Sequence, residues 1–227
     1  MIVAIDGPSA SGKSTAARNL AARLGLRFLD TGAMYRAVTW VALERGIDPG
    51  DAAALEDLVR SLEMSFDDRG LLFVLGQPVE AHIRGPRVTG AVSQVSAHGG
   101  VRMHVVARQR ELAREWGGLV AEGRDTSTVV FPQADHKFFL WASAKERARR
   151  RAEEIGQPEA AERIAAELEA RDHFDSTRAI APLRQAPDAV RIDSDGLLPD
   201  QVVDALERAI HASGSAGKGS SPRSTAR

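Results

Sequence analysis

Apolar and polar positions along the chain fall into two alternating textures. Short continuous apolar runs at residues 1–5, 26–29, 119–122, 136–141 and 189–192 read as buried strands, because fully buried parallel strands lose the polar-apolar alternation of half-exposed ones. Between them, apolar residues recur at helical spacing over 16–24, 33–45, 51–62, 89–97, 101–116, 144–154, 158–175 and 198–211. Gly46 and the pair Gly117-Gly118 stop helices, and Gly99-Gly100 reads as a break between two others. Pro158 stands at a first-turn position.

One stretch departs from this rhythm. From 64 to 88 the pieces are short and extended, at 64–66, 71–75 and 79–83, and are separated by Asp67-Asp68-Arg69-Gly70 and Gly76-Gln77-Pro78. These are hairpin signals. The pattern predicts an α/β fold: a doubly wound, five-stranded parallel sheet with a small antiparallel β insert and an Arg-rich helical lid. A core of 1–62 and 88–211 would contain the lid at about 144–178, the insert would span 63–87, and the Ser/Gly-rich residues 212–227 read as a disordered tail. No internal repeat is present.

Composition narrows the classes. A chain of 227 residues that is 43% hydrophobic can bury a proper core. Its 30 basic and 31 acidic residues nearly cancel, so nothing overall favours nucleic acid or an anionic membrane. Only four of the basic residues, Lys13, Lys137, Lys145 and Lys218, are lysine. Arginine's planar fork suits phosphate, although genomic bias produces the same skew. The absence of cysteine excludes disulfides and thiol chemistry. The six histidines lack metal-binding spacing, and no secretory signal or bilayer-length apolar run is seen. The expectation is a cytoplasmic monomer without membrane or nucleic-acid partners.

Candidate chemistry starts where the first strand ends. Gly7-Pro8-Ser9-Ala10-Ser11-Gly12-Lys13-Ser14-Thr15 fits G-x-x-x-x-G-K-[ST] between a strand and a helix. In that setting backbone N–H groups and the positive end of the new helix converge on phosphate. Lys13 would reach the β/γ-phosphates, and the Ser14 hydroxyl would ligate Mg²⁺. The loop alone is compatible with switch GTPases, ATPases and small-molecule kinases. Charged residues at other strand ends share its crevice: Tyr35-Arg36 after the second strand and Arg124-Asp125 after the third. Arg36 and Arg124 could hold a second phosphate group, while Tyr35-Arg36 fits a solvated helix face equally well. Arg171, Asp175 and Arg178 fall along one helical stripe if the helix continues, and that stripe by itself reads more readily as a surface ion-pair ladder. The arginine run 147–151 fits a lid over transferring phosphates, and Glu146 and Arg150 also fit an ordinary i, i+4 pair.

Taken together, GPSASGKST, LDTGAMYR, an insert ending near HIRGPRV, SQVSAHGGVR, AEGRDTSTVVFP, SAKERARRR and RDHFDSTRAIAPL occur in an order that resembles the bacterial cytidylate kinases, P-loop nucleoside monophosphate kinases. The resemblance covers the chain to about residue 211 and includes the β insert, as a monophosphate-binding unit. It implies transfer of the γ-phosphoryl of ATP to CMP, and to dCMP, with Mg²⁺ as cofactor. The loop residues Gly7 to Thr15 with Arg147 and Arg150 would bind ATP, with Lys13, Arg124 and Arg150 acting on the transferring group. Arg36 and Arg124 would take the CMP phosphate. Thr31, Arg102, Asp125 and Arg178 would face the base, and Ser93, Arg171 and Asp175 the ribose. Thr31 stands where many members have serine, and 156–167 is somewhat shorter than in some relatives. Rival readings are a kinase for UMP or another small acceptor, and a GTP-binding switch. The latter would need N-K-x-D, which the chain lacks.

Overall fold

The computed structural model describes residues 1–216, with side chains described to 213. Five strands, β1 (Ile2–Asp6), β2 (Arg27–Asp30), β6 (Leu119–Gly123), β7 (His136–Trp141) and β8 (Val190–Asp193), form one sheet in the order β2-β6-β1-β7-β8. All four pairings are parallel, and β1 lies at the centre with Asp6 opposite both Gly123 and Phe139. This is the expected sheet, with strand ends displaced by at most one residue. All five carboxyl ends face the same edge, where the order reverses and a crevice opens.

Side-chain parity divides the core in two. Val3, Ile5, Phe28, Val120, Phe138 and Leu140 pack on one face against α1 (Lys13–Leu24) and α9 (Pro199–Ala216). Leu29, Leu119 and Ala121 point the other way, toward α2 (Thr31–Glu44), α3 (Ala52–Arg60), α5 (Pro86–Val95) and α6 (Gly99–Glu115). A one-residue slip in register would swap these faces, so the sequence parity fixes the pairing.

The insert builds a separate antiparallel sheet of β3 (Met64–Phe66), β4 (Leu72–Val74) and β5 (Gln77–Pro78). Leu75 and Gly76 turn the second hairpin with φ of 49° and 75°, both in the left-handed region that matches the strand twist. The turn therefore lies ahead of Gln77-Pro78, which joins the sheet as β5. Residues 79–83, expected as a strand, instead form α4 (Glu80–Ile83). Val79 and Ile83 are fully buried while Ala81 is exposed, so the buried spacing is i, i+4 rather than i, i+2. Met64, Leu72, Val74, Val79 and Ile83 all join the α2-side core.

Helix starts follow their caps. Asp30 accepts from the Ala33 N–H at 2.8 Å and starts α2 at Thr31, and Asp51 accepts from the Ala54 N–H at 3.0 Å and starts α3. Gly99 and Gly100 do not break the chain. They form the first turn of α6, and a Cβ at Gly100 would collide with the Glu56 carboxylate on α3. The segment expected as a lid folds as α7 (Ala144–Glu154), a 3₁₀ turn at Pro158–Ala160 and α8 (Ala161–Thr177). α9 runs to Ala216, so 212–216 are helical rather than tail, and 217–227 lie outside the described residues. No helix among the described residues is long and apolar enough to cross a membrane.

Candidate active site

The loop between β1 and α1 has the form its sequence requires. A Cβ at Gly7 would run into the Leu140 backbone oxygen, and Gly12 holds φ 89° at the start of α1. Ala10 also lies at a positive φ, 59°, which costs a non-glycine residue roughly 1 kcal/mol or more. Lys13 curls back over the loop and donates to the Pro8 carbonyl at 2.6 Å. Burial, and then the charge of Arg124, push its ammonium down to about 7. Thr15 faces solvent on α1.

Three acidic groups lie around the loop, at the ends of β1, β2 and β6. Ser14 Oγ donates to Glu122 Oε1 at 2.8 Å. Burial and the neighbouring Asp30 push the Glu122 carboxyl up to about 7. Burial also pushes Asp30 upward, but the Arg84 charge and its 2.8 Å hydrogen bond reverse this and leave Asp30 below its ordinary value. A hydroxyl and two carboxylates fit a cation of the Mg²⁺ class, which keeps several waters and takes few protein ligands. Among the described residues no group of three or more His, Cys, Asp or Glu could form a closed metal cage.

Asp6, the third acid, is a residue the sequence analysis missed. Its buried carboxylate accepts from the N–H of Thr126 and of Ser127, each at 2.8 Å, and from both hydroxyls. Those bonds anchor a single π-helical turn, Thr126–Val130, directly after Arg124-Asp125. The position of Asp6 at the end of a central strand was the available signal.

Across the crevice, Asp125 pairs with Arg102 through one oxygen and with Arg178 Nη2 at 3.3 Å through the other. Arg102 also donates to the Ser96 carbonyl and lies 5.3 Å from the Tyr35 ring centroid, a cation–π contact. Burial pushes the Asp125 carboxyl up, against the pull of both arginines. The α8 helix ends at Thr177, so Arg178 follows it rather than continuing the stripe. Nor is the stripe a surface ladder: Asp175 is buried and accepts from Arg124 Nε at 3.0 Å, and the Arg171 Nε is buried without a partner.

Arg36 is half-buried against neutral partners, the Ile83 carbonyl and the Thr89 hydroxyl. Burial first, and then neighbouring guanidiniums, lower both Arg36 and Arg171 to about 10; the leading neighbour is Arg84 for Arg36, with Arg124 a lesser one, and Arg124 for Arg171. This surplus of close cations is what an anion would relieve. Thr31 Oγ1 donates to the Glu122 carbonyl at 2.6 Å, and Ser93 is half-buried on α5.

From the lid, Arg150 hydrogen-bonds Ser194 and, at 3.4 Å, the Ser11 carbonyl, while keeping its i, i+4 pair with Glu146. Arg147 does not point into open space; it donates to the carbonyls of Ala142 and Ser9 and pairs with Asp172. Hydrogen bonds thus join Ser9 to Arg124 and Arg147, Ser11 to Arg150, Ser14 to Glu122, Asp125 to Arg102 and Arg178, and Asp175 to Arg124, whereas Thr15 is exposed on α1.

A phosphate loop at the carboxyl edge of a parallel sheet, with a helical lid and a second cationic pocket, defines the P-loop class of α/β nucleotide-binding proteins. Residues 3–212 match the family model for cytidylate kinase, and the chain belongs to that family. A cytidylate kinase of Mycobacterium avium is 48% identical over 212 residues, covering 91% of this chain and 93% of that protein. A bifunctional pantoate ligase/cytidylate kinase of Parasynechococcus marenigrum is 49% identical over 219 residues, covering 93% of this chain and 44% of that protein. The chain therefore spans less than half the length of such bifunctional relatives. Among solved structures, an uncharacterised protein from Eubacterium ventriosum shares the fold with a TM-score of 0.52 at 11% identity, covering 93% of this chain and 99% of that one.

Proposed function

We propose that this protein transfers the γ-phosphoryl group of ATP to CMP, and to dCMP, giving ADP and CDP or dCDP, in the cytoplasm and as a monomer. The observation that carries the reading is the pair of sites on one crevice: the Lys13 loop on one side, and on the other Asp125 held by two arginines beside the cation cluster of Arg36, Arg124 and Arg171. A fixed carboxylate accepts from the exocyclic amine of cytosine, and the arginines donate to its ring acceptors. Uracil offers a carbonyl where cytosine has that amine, so it would set an acceptor against Asp125. Arg36 and Arg124 would hold the acceptor phosphate, and Ser93, Arg171 and Asp175 would face the ribose. We assign the antiparallel unit of 63–87 to the acceptor side, 144–178 to a closing lid, and 1–62 with 88–211 to the core that carries both.

Ser14, with Glu122 and Asp30 through water, would hold Mg²⁺. When bound there, the ion would supply charge neutralisation across the β- and γ-phosphates. Lys13, Arg124 and Arg150 would add positive charge where negative charge spreads during an in-line transfer, and lid closure would keep water from the γ-phosphate. No general base is needed for a phosphate-oxygen nucleophile, which is already ionised at neutral pH. The test is a coupled ADP-release assay across CMP, dCMP, UMP, AMP and GMP. CMP is expected to give the highest kcat/KM, and a preference for UMP or a purine would overturn the assignment.

A further inference from the structure

The lid is tied to the phosphate loop at one residue. Ser9 is 4% exposed, and each of its three polar groups is taken by a different side chain. Its N–H donates to Asp172 Oδ1 on α8 at 2.9 Å, its carbonyl accepts from Arg147 Nη1 on α7 at 3.0 Å, and its hydroxyl accepts from Arg124 Nη2 at 2.7 Å. Arg147 and Asp172 also bind each other. The two lid side chains thus close a ring around the Ser9 peptide, with the carboxylate on its donor side and the guanidinium on its acceptor side. The next residue is Ala10, whose positive φ is sustained only if its surroundings hold it.

We propose that Asp172 is a positioning residue for the phosphate loop: by fixing the Ser9 N–H directly and the Ser9 carbonyl through Arg147, it holds Ala10 and the following amides in their anion-binding form while the lid is in place. This rests on the reading of Gly7 to Ser14 as the ATP site. It assigns a role to a residue whose neighbours, Arg171 and Asp175, have one in the acceptor site. Asp172 faces the other way, toward the donor loop. The chemistry favours a carboxylate here. An asparagine can keep one acceptor for the Ser9 N–H but loses the charge that matches the buried Arg147, and charge-assisted bonds are about twice as strong as neutral ones.

The test compares Asp172→Asn and Asp172→Glu with the unaltered protein in three measurements. These are calorimetric binding of Mg·ATP without acceptor, calorimetric binding of CMP without ATP, and amide exchange at Ser9 and Ala10. For Asp172→Asn the expected result is at least tenfold weaker Mg·ATP binding, CMP binding within twofold, and faster exchange of both amides, with the melting temperature close to that of the unaltered protein. Asp172→Glu keeps the charge and should recover part of the Mg·ATP affinity; if the asparagine variant fails to fold, it carries the test by showing a smaller loss confined to Mg·ATP. Unchanged Mg·ATP affinity in a folded variant overturns the proposal. So does tighter binding, which would make Asp172 a carboxylate competing with phosphate. Failure of the unaltered protein to bind CMP would instead defeat the proposed function and leave the Ser9 result readable by itself.

Discussion

Lys13 shows how a residue can serve a site at the expense of the fold. The residue is 5% exposed, and its ammonium is hydrogen-bonded to one backbone carbonyl and close to Arg124. Because its folded value is depressed to about 7 from 10.5, the unfolded chain binds more protons between those limits. The stability it contributes is full above pH 10.5 and is lost as pH falls through 7. Lys13→Met should therefore abolish phosphoryl transfer yet stabilise the nucleotide-free protein at pH 7 by roughly 1 to 3 kcal/mol, and should flatten the rise in stability between pH 7 and 10. Urea melts of both proteins at pH 7 and pH 9.5 measure this, and a destabilised variant at pH 7 would contradict it. Asp125 is the opposite case. Asp125→Ala strands two arginines, Arg102 and Arg178, whose side chains are both almost wholly buried, and it should weaken CMP binding about 100-fold while Mg·ATP binding changes little. Equal losses for both ligands in calorimetry would remove Asp125 from the acceptor site. Both residues stood out in the sequence because each follows a strand. Asp172 did not, since its partners Ser9 and Arg147 are distant in sequence and nothing in its own helix marks it.

Among the elements, the turn at Thr126–Val130 was the least legible. Its residues are hydroxyl-bearing and β-branched, which suits a loop or strand, and its bonds instead follow a π pattern, with the Val130 N–H on the Asp125 carbonyl at 3.2 Å and the Phe131 N–H on the Thr126 carbonyl at 2.7 Å. Asp6 stabilises that pattern from about 120 positions away, a long-range term that local periodicity cannot carry. The same limit explains α4, where Val79, Ala81 and Ile83 alternate like a strand until packing selects only Val79 and Ile83. By contrast the five parallel strands were legible, because each is a continuous apolar run between turn residues, and the loop was legible because its glycines answer a local backbone demand. Asp6→Asn would present an amide where two N–H groups and two hydroxyls now converge on two acceptor oxygens. The expected cost is about 2 to 4 kcal/mol of stability, with kcat/KM for CMP falling because Arg124 and Asp125 lose their anchor. Denaturant titration together with steady-state kinetics tests this; a variant of unaltered stability would show that the turn stands without Asp6.

For the molecule as a whole, what matters is that the lid and the body are held by different forces. The two large apolar clusters flank the sheet, and the lid has its own small one, Ala148, Ala152 and Ile164, separate from both. The lid meets the body at polar contacts: Arg147 and Asp172 at Ser9, Arg150 at Ser11 and Ser194, Asp175 at Arg124 and Arg178 at Asp125. Apolar burial scales with area and is lost only on large-scale opening, whereas partly exposed polar contacts exchange readily with water and with phosphate oxygens. Several of these arginines are the groups proposed to meet phosphate, so substrates would replace lid-to-body bonds with lid-to-phosphate bonds. Native-state hydrogen exchange should then find α7 and α8 opening together at a lower free energy than β1, β6 and β7, by at least about 2 kcal/mol. Raising salt to 0.5 M should increase that difference through screening of the ion pairs, and a non-hydrolysable ATP analogue with CMP should reduce it by bridging lid and body. If the lid amides exchange only with global unfolding, the lid is a fixed part of the core and closure is not part of its chemistry.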